Sequence, residues 1–134
     1  VEEAKIAAAA CDSVEALKAA IVAFEGSPLK SASENTVVYD GTPGASLMVI
    51  GEGPGAEEDR KGLPFVGKAG QLLDKMLAAI HRDRTEHVFK TAGGFTAPLI
   101  PILHPAYLLR RPQDKSRAWR DLLLVEQRLG ELGG

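Results

Sequence analysis

The chain of 134 residues has few of the features that would assign it at once to a class of protein. Its single cysteine, Cys11, excludes an internal disulfide and a metal site built of cysteines from this chain alone. It has no apolar run of membrane-spanning length, and the start at Val1 lacks the basic-then-apolar pattern of a signal peptide. These absences predict a soluble, cytoplasmic protein that forms a single domain over residues 1–134, and we expect a monomer with no membrane partner.

Neither sign of charge dominates the whole chain, since the net charge is only −2. The distribution is uneven, however. Residues 1–60 carry 11 acids and 4 bases, whereas residues 61–134 carry 12 bases and 7 acids. A basic second half can present a basic face to a polyanion such as nucleic acid. Solvated helix surfaces explain the same charges equally well.

Short apolar runs alternate with helical patterns along the chain. An apolar strand followed by a loop and an amphipathic helix is typical of an α/β fold with a mostly parallel sheet, in which ligands bind at the carboxyl ends of strands. Two unusual loops, from Gly51 and from His104, follow predicted strands, so we expect them to form one site. The strands are predicted at 36–39, 47–50, 87–89 and 98–103. The helices are predicted at 13–24, 69–81 and 114–130. The residues of the last helix that we expect to be buried include Trp119, Leu122, Leu123 and Leu129.

The first loop, "GEGPGAEEDRKGLPFVGKAG", is similar to two phosphate-binding motifs and fits neither. A P-loop needs Ser or Thr after its lysine, where this chain has Ala69, and Pro64 removes a backbone donor. In the dinucleotide fingerprint the third glycine would come one position after Gly55. Glycines for close approach, a ring at Phe65 and a carboxylate at Glu52 suit a nucleobase pocket better. A surface loop without a ligand remains the alternative.

The second loop, "HPAYLLRRP", places a histidine directly after an apolar strand. His104 can donate a hydrogen bond to a carbonyl oxygen and stabilise developing negative charge. Apolar side chains beside arginines are used by some proteins to enter a DNA groove and displace a base. Ordinary packing of Leu108 and Leu109 and a solvated face for Arg110 and Arg111 are the alternatives.

Together, "GEGPGAEEDRKGLPFVGKAGQLLDKML" and "HPAYLLRRPQDKSRAWRDLL" strongly resemble the family 4 uracil-DNA glycosylases. The resemblance covers residues from about 36 to 89 and from about 98 to 129. It implies a three-layer α/β/α sandwich with a mostly parallel central sheet, and a base excision repair enzyme that hydrolyses the N-glycosidic bond of uracil in DNA after the base has flipped out. Uracil-containing DNA is the implied partner.

The resemblance also implies roles for individual residues. Glu52 matches the carboxylate that positions or activates the attacking water, and His104 matches the group that stabilises the departing uracil anion. Gly53 offers backbone to the base and Phe65 stacks on it. The loop that fills the emptied stack and grips the DNA strand comprises Tyr107, Leu108, Leu109, Arg110 and Arg111.

The chain departs from the family pattern in two places. A long middle region with an asparagine that reads the uracil edge should follow Phe89, but Lys90 follows directly. Many members hold an iron–sulfur cluster on four cysteines, and Ser27 stands where one cysteine is expected, so we expect no cofactor from this chain and no metal site. Either a segment between 89 and 90 is missing and the sheet is incomplete, or the protein is a catalytically weak or inactive relative that binds nucleic acid.

Overall fold

A computed structural model describes residues 2–80 and 100–132. Over these ranges the regular structure is helical, with two short 3₁₀ turns at Lys30–Ala32 and Pro112–Asp114. The α-helices are α1 (Glu2–Ala9), α2 (Val14–Ala23), α3 (Ala56–Lys61), α4 (Lys68–Ala79), α5 (Pro105–Arg110) and α6 (Lys115–Glu131).

The core lies between α4 and α6, because both helices carry apolar residues at helical spacing on one side. The buried residues of α6 are Ala118, Leu122, Val125 and Leu129. The opposing side chains of α4 include Met76, and Ile80 at the end of α4 joins the same cluster. The short helix α5 packs against α4 and adds Leu108, which is 1% exposed. The stretch predicted as the second loop is thus mostly the helix α5, which is part of this three-helix cluster.

The helices begin and end where local chemistry favours it. Ser13 caps α2 by accepting a hydrogen bond from the Ala16 N–H at 3.1 Å. Pro105 occupies the first turn of α5, where the missing N–H costs nothing.

Helices α1 and α2 contact each other, and neither contains a buried residue. The described core therefore depends on α4, α5 and α6.

The predicted α/β/α sandwich with a parallel sheet is wrong for the described residues, which contain no strand. A strand exists only when a neighbouring chain segment completes its hydrogen-bond ladder. The predicted strand at 47–50 has no such partner among residues 2–80 and 100–132, although Leu47 packs against the helical core. Ile50 at its end is 73% exposed. Apolar composition alone predicted the strand, and the pairing that would form it is absent here.

The other predictions have mixed outcomes. The helices predicted at 69–81 and 114–130 are confirmed as α4 and α6. Leu122 and Leu129 are buried as predicted, whereas Trp119 and Leu123 were wrongly predicted to be buried, since they are 43% and 42% exposed. The predicted strand at 87–89, the junction of residues 89 and 90, and residues 98 and 99 lie outside the described residues. In the described ranges, no helix has the length and apolar character needed to cross a membrane.

Candidate base-binding site

The glycine-rich loop is held in shape by the carboxylate of Glu58. Its two oxygens accept hydrogen bonds from the backbone N–H of Gly55, at 3.1 Å, and of Gly67, at 2.7 Å. The first bond caps the start of α3, and the second ties α3 to the residue that precedes α4. Partial burial raises the pKa of Glu58, but hydrogen bonds from backbone N–H groups, that of Gly67 foremost, outweigh it and leave the pKa below its ordinary value. A single ionised side chain therefore joins both ends of the loop.

Asp59 fixes the other side of α3. Its Oδ1 accepts hydrogen bonds from the backbone N–H of Glu34 at 2.9 Å and of Asn35 at 3.0 Å. In return, the Asn35 side chain donates to the Asp59 carbonyl oxygen at 2.7 Å and to that of Arg60 at 3.3 Å. The helix ends beside them at Gly62, whose φ of 70° is the left-handed conformation that favours glycine. These contacts anchor α3 to the chain before the loop.

Phe65 has an unusual backbone conformation for a bulky residue, with φ at 56°. Its main chain lies against the first turn of α4, where a Cβ added to Gly70 would come within 1.5 Å of the Phe65 carbonyl oxygen. Gly70 is buried, so no other residue fits without displacing the Phe65 backbone. Strained backbone of this kind is retained where surrounding structure over-determines it, and it clusters at functional sites. Gly70 and α4 thus set where the Phe65 ring lies.

The Phe65 ring brings the two loops together. A Cβ added to Gly51 would meet the ring Cζ at 2.7 Å, so the ring lies against the Gly51 backbone. The ring centroid is also 6.5 Å from that of the His104 imidazole, with 32° between the ring planes. That separation is within the range of aromatic pairs, but near its upper end. Gly51, Phe65 and His104 are therefore neighbours, as the sequence led us to expect of the two loops.

His104 is the N-cap of α5, and this contact sets its tautomer. Its Nδ1 accepts a hydrogen bond from the Ala106 backbone N–H at 3.2 Å. A ring nitrogen that accepts carries no proton, so a neutral imidazole here has its proton on Nε2. His104 is exposed, which leaves that Nε2–H available to a ligand.

The four acids of the first loop have different surroundings. Glu57 pairs with Arg60 at 2.8 Å, and the hydrogen bond and charge of Arg60 lower its pKa. Glu58 and Asp59 bind backbone N–H groups, as described above. Glu52 is exposed and, among residues 2–80 and 100–132, its carboxylate has no hydrogen bond or ion pair. A Cβ added to the neighbouring Gly53 would meet nothing within 4 Å. Glu52 and Gly53 thus remain open to a ligand.

The predicted DNA-binding residues separate into buried and exposed groups. Leu108 is in the core, whereas Leu109 is 45% exposed. Tyr107 is half-buried and its hydroxyl donates to Asp114 Oδ2 at 3.0 Å. The guanidinium of Arg111 lies over the Tyr107 ring at 5.8 Å and also pairs with Asp114. Arg110 is exposed. The binding roles of all five residues remain predictions.

Residues 38–98 match the family model described as the uracil DNA glycosylase superfamily. Over these residues, which are less than half of the chain, the chain is similar to that superfamily. The matched range includes Glu52, Gly53 and Phe65, and His104 follows it.

Several similar proteins are each named a type-4 uracil-DNA glycosylase. The chain is 39% identical to that of Sulfurisphaera tokodaii over 80 residues, which are 60% of this chain and 36% of the relative. It is 48% identical to that of Thermotoga maritima over 50 residues, 37% of this chain and 26% of the relative. For Pyrobaculum aerophilum the identity is 45% over 53 residues, 40% of this chain and 27% of the relative. The chain thus spans well under half of the length of the curated relatives that it matches.

The residues of this chain do not fit an iron–sulfur cluster. Such a cluster needs four cysteine ligands, and the chain has one cysteine. The thiol of Cys11 donates to the Ala7 carbonyl oxygen at 3.2 Å within the N-terminal helical segment. No cluster of His, Cys, Asp or Glu that could hold a metal occurs in the described ranges. This chain alone therefore cannot ligate the group.

Glu58, Asp59 and Asp114 were not singled out from the sequence as residues that organise the site. For Glu58 a signal existed, because glycine followed three residues later by glutamate matches half of a helix capping box. Asp59 binds the backbone of Glu34 and Asn35, which only the folded chain brings near, so no local pattern marks it. The arginines that pair with Asp114 lie three residues to either side of it, so their spacing was a local signal.

Proposed function

We propose that this protein is a uracil-DNA glycosylase that hydrolyses the N-glycosidic bond of uracil in DNA. The observation that carries the proposal is the contact set of Gly51, Phe65 and His104, which joins a stacking ring and a hydrogen-bond donor at one place. A flipped pyrimidine offers a flat face and carbonyl oxygens, which are the groups that a ring and an N–H donor bind. The names of the similar proteins support the same activity.

In the proposed mechanism the base stacks on Phe65 and its carbonyl oxygen accepts a hydrogen bond from His104 Nε2–H. Because Nδ1 already accepts the Ala106 N–H, the donor is oriented before the base arrives. Negative charge that develops on the leaving base is thereby stabilised. The exposed backbone of Gly53 offers room for the close approach of the base.

Glu52 is proposed to act on the attacking water. Water adds to C1′ of the deoxyribose while the bond between C1′ and N1 of the base breaks. The electrons of that bond leave with the base, which departs as an anion, and the carboxylate takes a proton from the water. A carboxylate also stabilises the positive charge that develops on the sugar. The carboxylate that does this must not be occupied elsewhere, and Glu52 meets that condition among the described residues.

Binding of nucleic acid with little or no cleavage is the second candidate, and one observation favours it. The only asparagine in the chain is Asn35, whose side chain donates to the carbonyl oxygens of Asp59 and Arg60. Its amide is therefore not available to read the edge of a base. With one reading group fewer, the pocket would bind uracil less tightly or discriminate less.

The two candidates are separated by one assay. The chain is incubated with a single-stranded oligonucleotide that contains one uracil, and abasic sites are detected as strand breaks after alkali. The proposal expects breaks that require the uracil and that fall at least about a hundredfold in Glu52→Ala and in His104→Ala. Glu3→Ala, an exposed change in α1, is the matched control and should keep the wild-type rate. Binding without breaks in any variant would favour the second candidate and contradict the first.

A further inference from the structure

The corner between α5 and α6 gathers one hydroxyl and two guanidinium groups around one carboxylate. Asp114 accepts from the Tyr107 hydroxyl at 3.0 Å, pairs with Arg111 Nε at 3.3 Å and lies 3.8 Å from a guanidinium nitrogen of Arg117. The Asp114 side chain is only 13% exposed, whereas those of Arg111 and Arg117 are 56% and 69% exposed. The acid is thus enclosed, and the two cations that hold it can be reached from solvent.

The surroundings of this corner are strongly basic. Residues 110–120 contain five arginines and lysines, and Asp114 is the only acid among them. Within the described residues, no acid forms an ion pair with Arg110, Lys115 or Arg120. Asp114 therefore neutralises part of a surface that is otherwise basic, and it does not belong to a surface of alternating acids and bases.

The geometry points to a phosphate-binding site made of Tyr107, Arg111 and Arg117, in which the Asp114 carboxylate stands where a backbone phosphate of DNA binds. Carboxylate and phosphate oxygens accept the same charge-assisted hydrogen bonds from guanidinium groups. While Asp114 holds both arginines, they contribute little to binding a polyanion. Asp114 consequently limits the number of phosphates that this surface binds. The inference rests on the proposed function for the identity of the ligand, single-stranded DNA, but not on cleavage.

The test measures the salt dependence of binding to a uracil-free, single-stranded oligonucleotide. The plot of log K against log salt concentration steepens by about 0.7 for each additional phosphate contact on a single strand. In Asp114→Asn, where the arginines are released, the slope is expected to steepen by about 0.7 to 1.4 and the affinity to rise at low salt. Asp121→Asn makes the same change of charge on α6 at an acid that has no ion pair among the described residues, and it should steepen the slope much less.

In the double variant Asp114→Asn with Arg117→Gln, the plot of log K against log salt concentration should be less steep than in Asp114→Asn alone. A pair of variants that leaves Asp114 in place gives an independent reading, should Asp114→Asn fail to fold. Arg110→Gln removes a cation that has no ion pair in the described part of the chain, and it should reduce the slope by about 0.7. Arg111→Gln removes a cation that is paired with Asp114 and should reduce the slope much less.

Equal slopes for Asp114→Asn and Asp121→Asn would overturn the inference, as would weaker binding by Asp114→Asn, because Asp114 would then position the arginines for DNA. Equal losses for Arg110→Gln and Arg111→Gln would also overturn it. If no variant binds DNA, the inference is wrong. The proposed cleavage is judged separately by the abasic-site assay, so the two failures are distinguishable.

Discussion

The Phe65 ring lies 6.5 Å from the His104 imidazole, centroid to centroid, although the two residues belong to loops that are far apart in the sequence. Each ring is fixed by its own backbone contacts. Gly70 allows the Phe65 main chain to lie against α4, and the Ala106 N–H holds His104 at the start of α5. Because α4 and α5 pack on each other, the distance between the rings is set by the helical core.

Replacement of Gly70 by alanine should displace Phe65. The added methyl would overlap the Phe65 carbonyl oxygen, which is backbone and cannot move alone, so we expect a loss of about 2 kcal/mol in the free energy of unfolding. Gly130→Ala is the matched control, because it also adds a methyl to a glycine in a helix but meets nothing within 4 Å, and it should stabilise the protein by up to about 1 kcal/mol. Urea denaturation measures both. Equal stability of the two variants would show that Gly70 does not support Phe65.

Glu58→Gln should destabilise the protein at neutral pH and matter less in acid. The folded-state pKa of Glu58 is lowered, so the stability that its ionisation contributes is complete above the unfolded pKa of about 4.3 and is lost as the pH falls through the folded pKa. In Glu58→Gln, the side-chain amide N–H₂ faces one of the two backbone N–H groups, which then has no acceptor. We expect this to lower the free energy of unfolding by about 2 kcal/mol at about pH 7. Urea denaturation at about pH 7 and about pH 3 measures the difference.

Glu57→Gln serves as the control for that series. Glu57 is exposed, and its ion pairs within the described ranges are with Arg60 and Lys61 of its own helix, so its removal should change stability little at either pH. A Glu58→Gln penalty that is equally large in acid would contradict the role of the ionised carboxylate.

Leu108 and Leu109 should respond oppositely to truncation. Leu108→Ala leaves a cavity in the core and should lower the free energy of unfolding by about 3 kcal/mol. Leu109→Ala should change stability by less than about 0.5 kcal/mol. If Leu109 enters the DNA stack, its truncation should slow cleavage of uracil in duplex DNA more than in a single strand. The same slowing on both substrates would argue against that role for Leu109.

The amphipathic helices were predictable from the sequence because their information is local. The spacing of Leu73, Met76 and Ile80 marks the buried side of α4, and that of Leu122 and Leu129 marks α6. The strands could not be predicted reliably in the same way, because a strand depends on a partner segment that the periodicity of the sequence does not reveal. The run at 47–50 has strand-like composition and, within the described part of the chain, no ladder to join.

The candidate site was predictable in part. The sequence indicated that the loops at Gly51 and His104 would meet, but it inferred this from the edge of a parallel sheet, whereas the helical core holds them here. The roles of Glu58 and Asp59 were missed because Glu52 was the only acid of this loop that was singled out from the sequence. In the folded chain both are occupied with backbone N–H groups.

The central claim is that Phe65 and His104 contact the same base, and a double-mutant cycle tests it most directly. The single-turnover rate constant for uracil release is measured for the wild type, Phe65→Ala, His104→Ala and the double variant. If both side chains bind one base, each single change should lower the rate constant at least about tenfold. The double variant should then be much faster than the rate constant obtained by multiplying the two single losses. Losses that simply multiply, or a wild-type chain that releases no uracil, would contradict the claim.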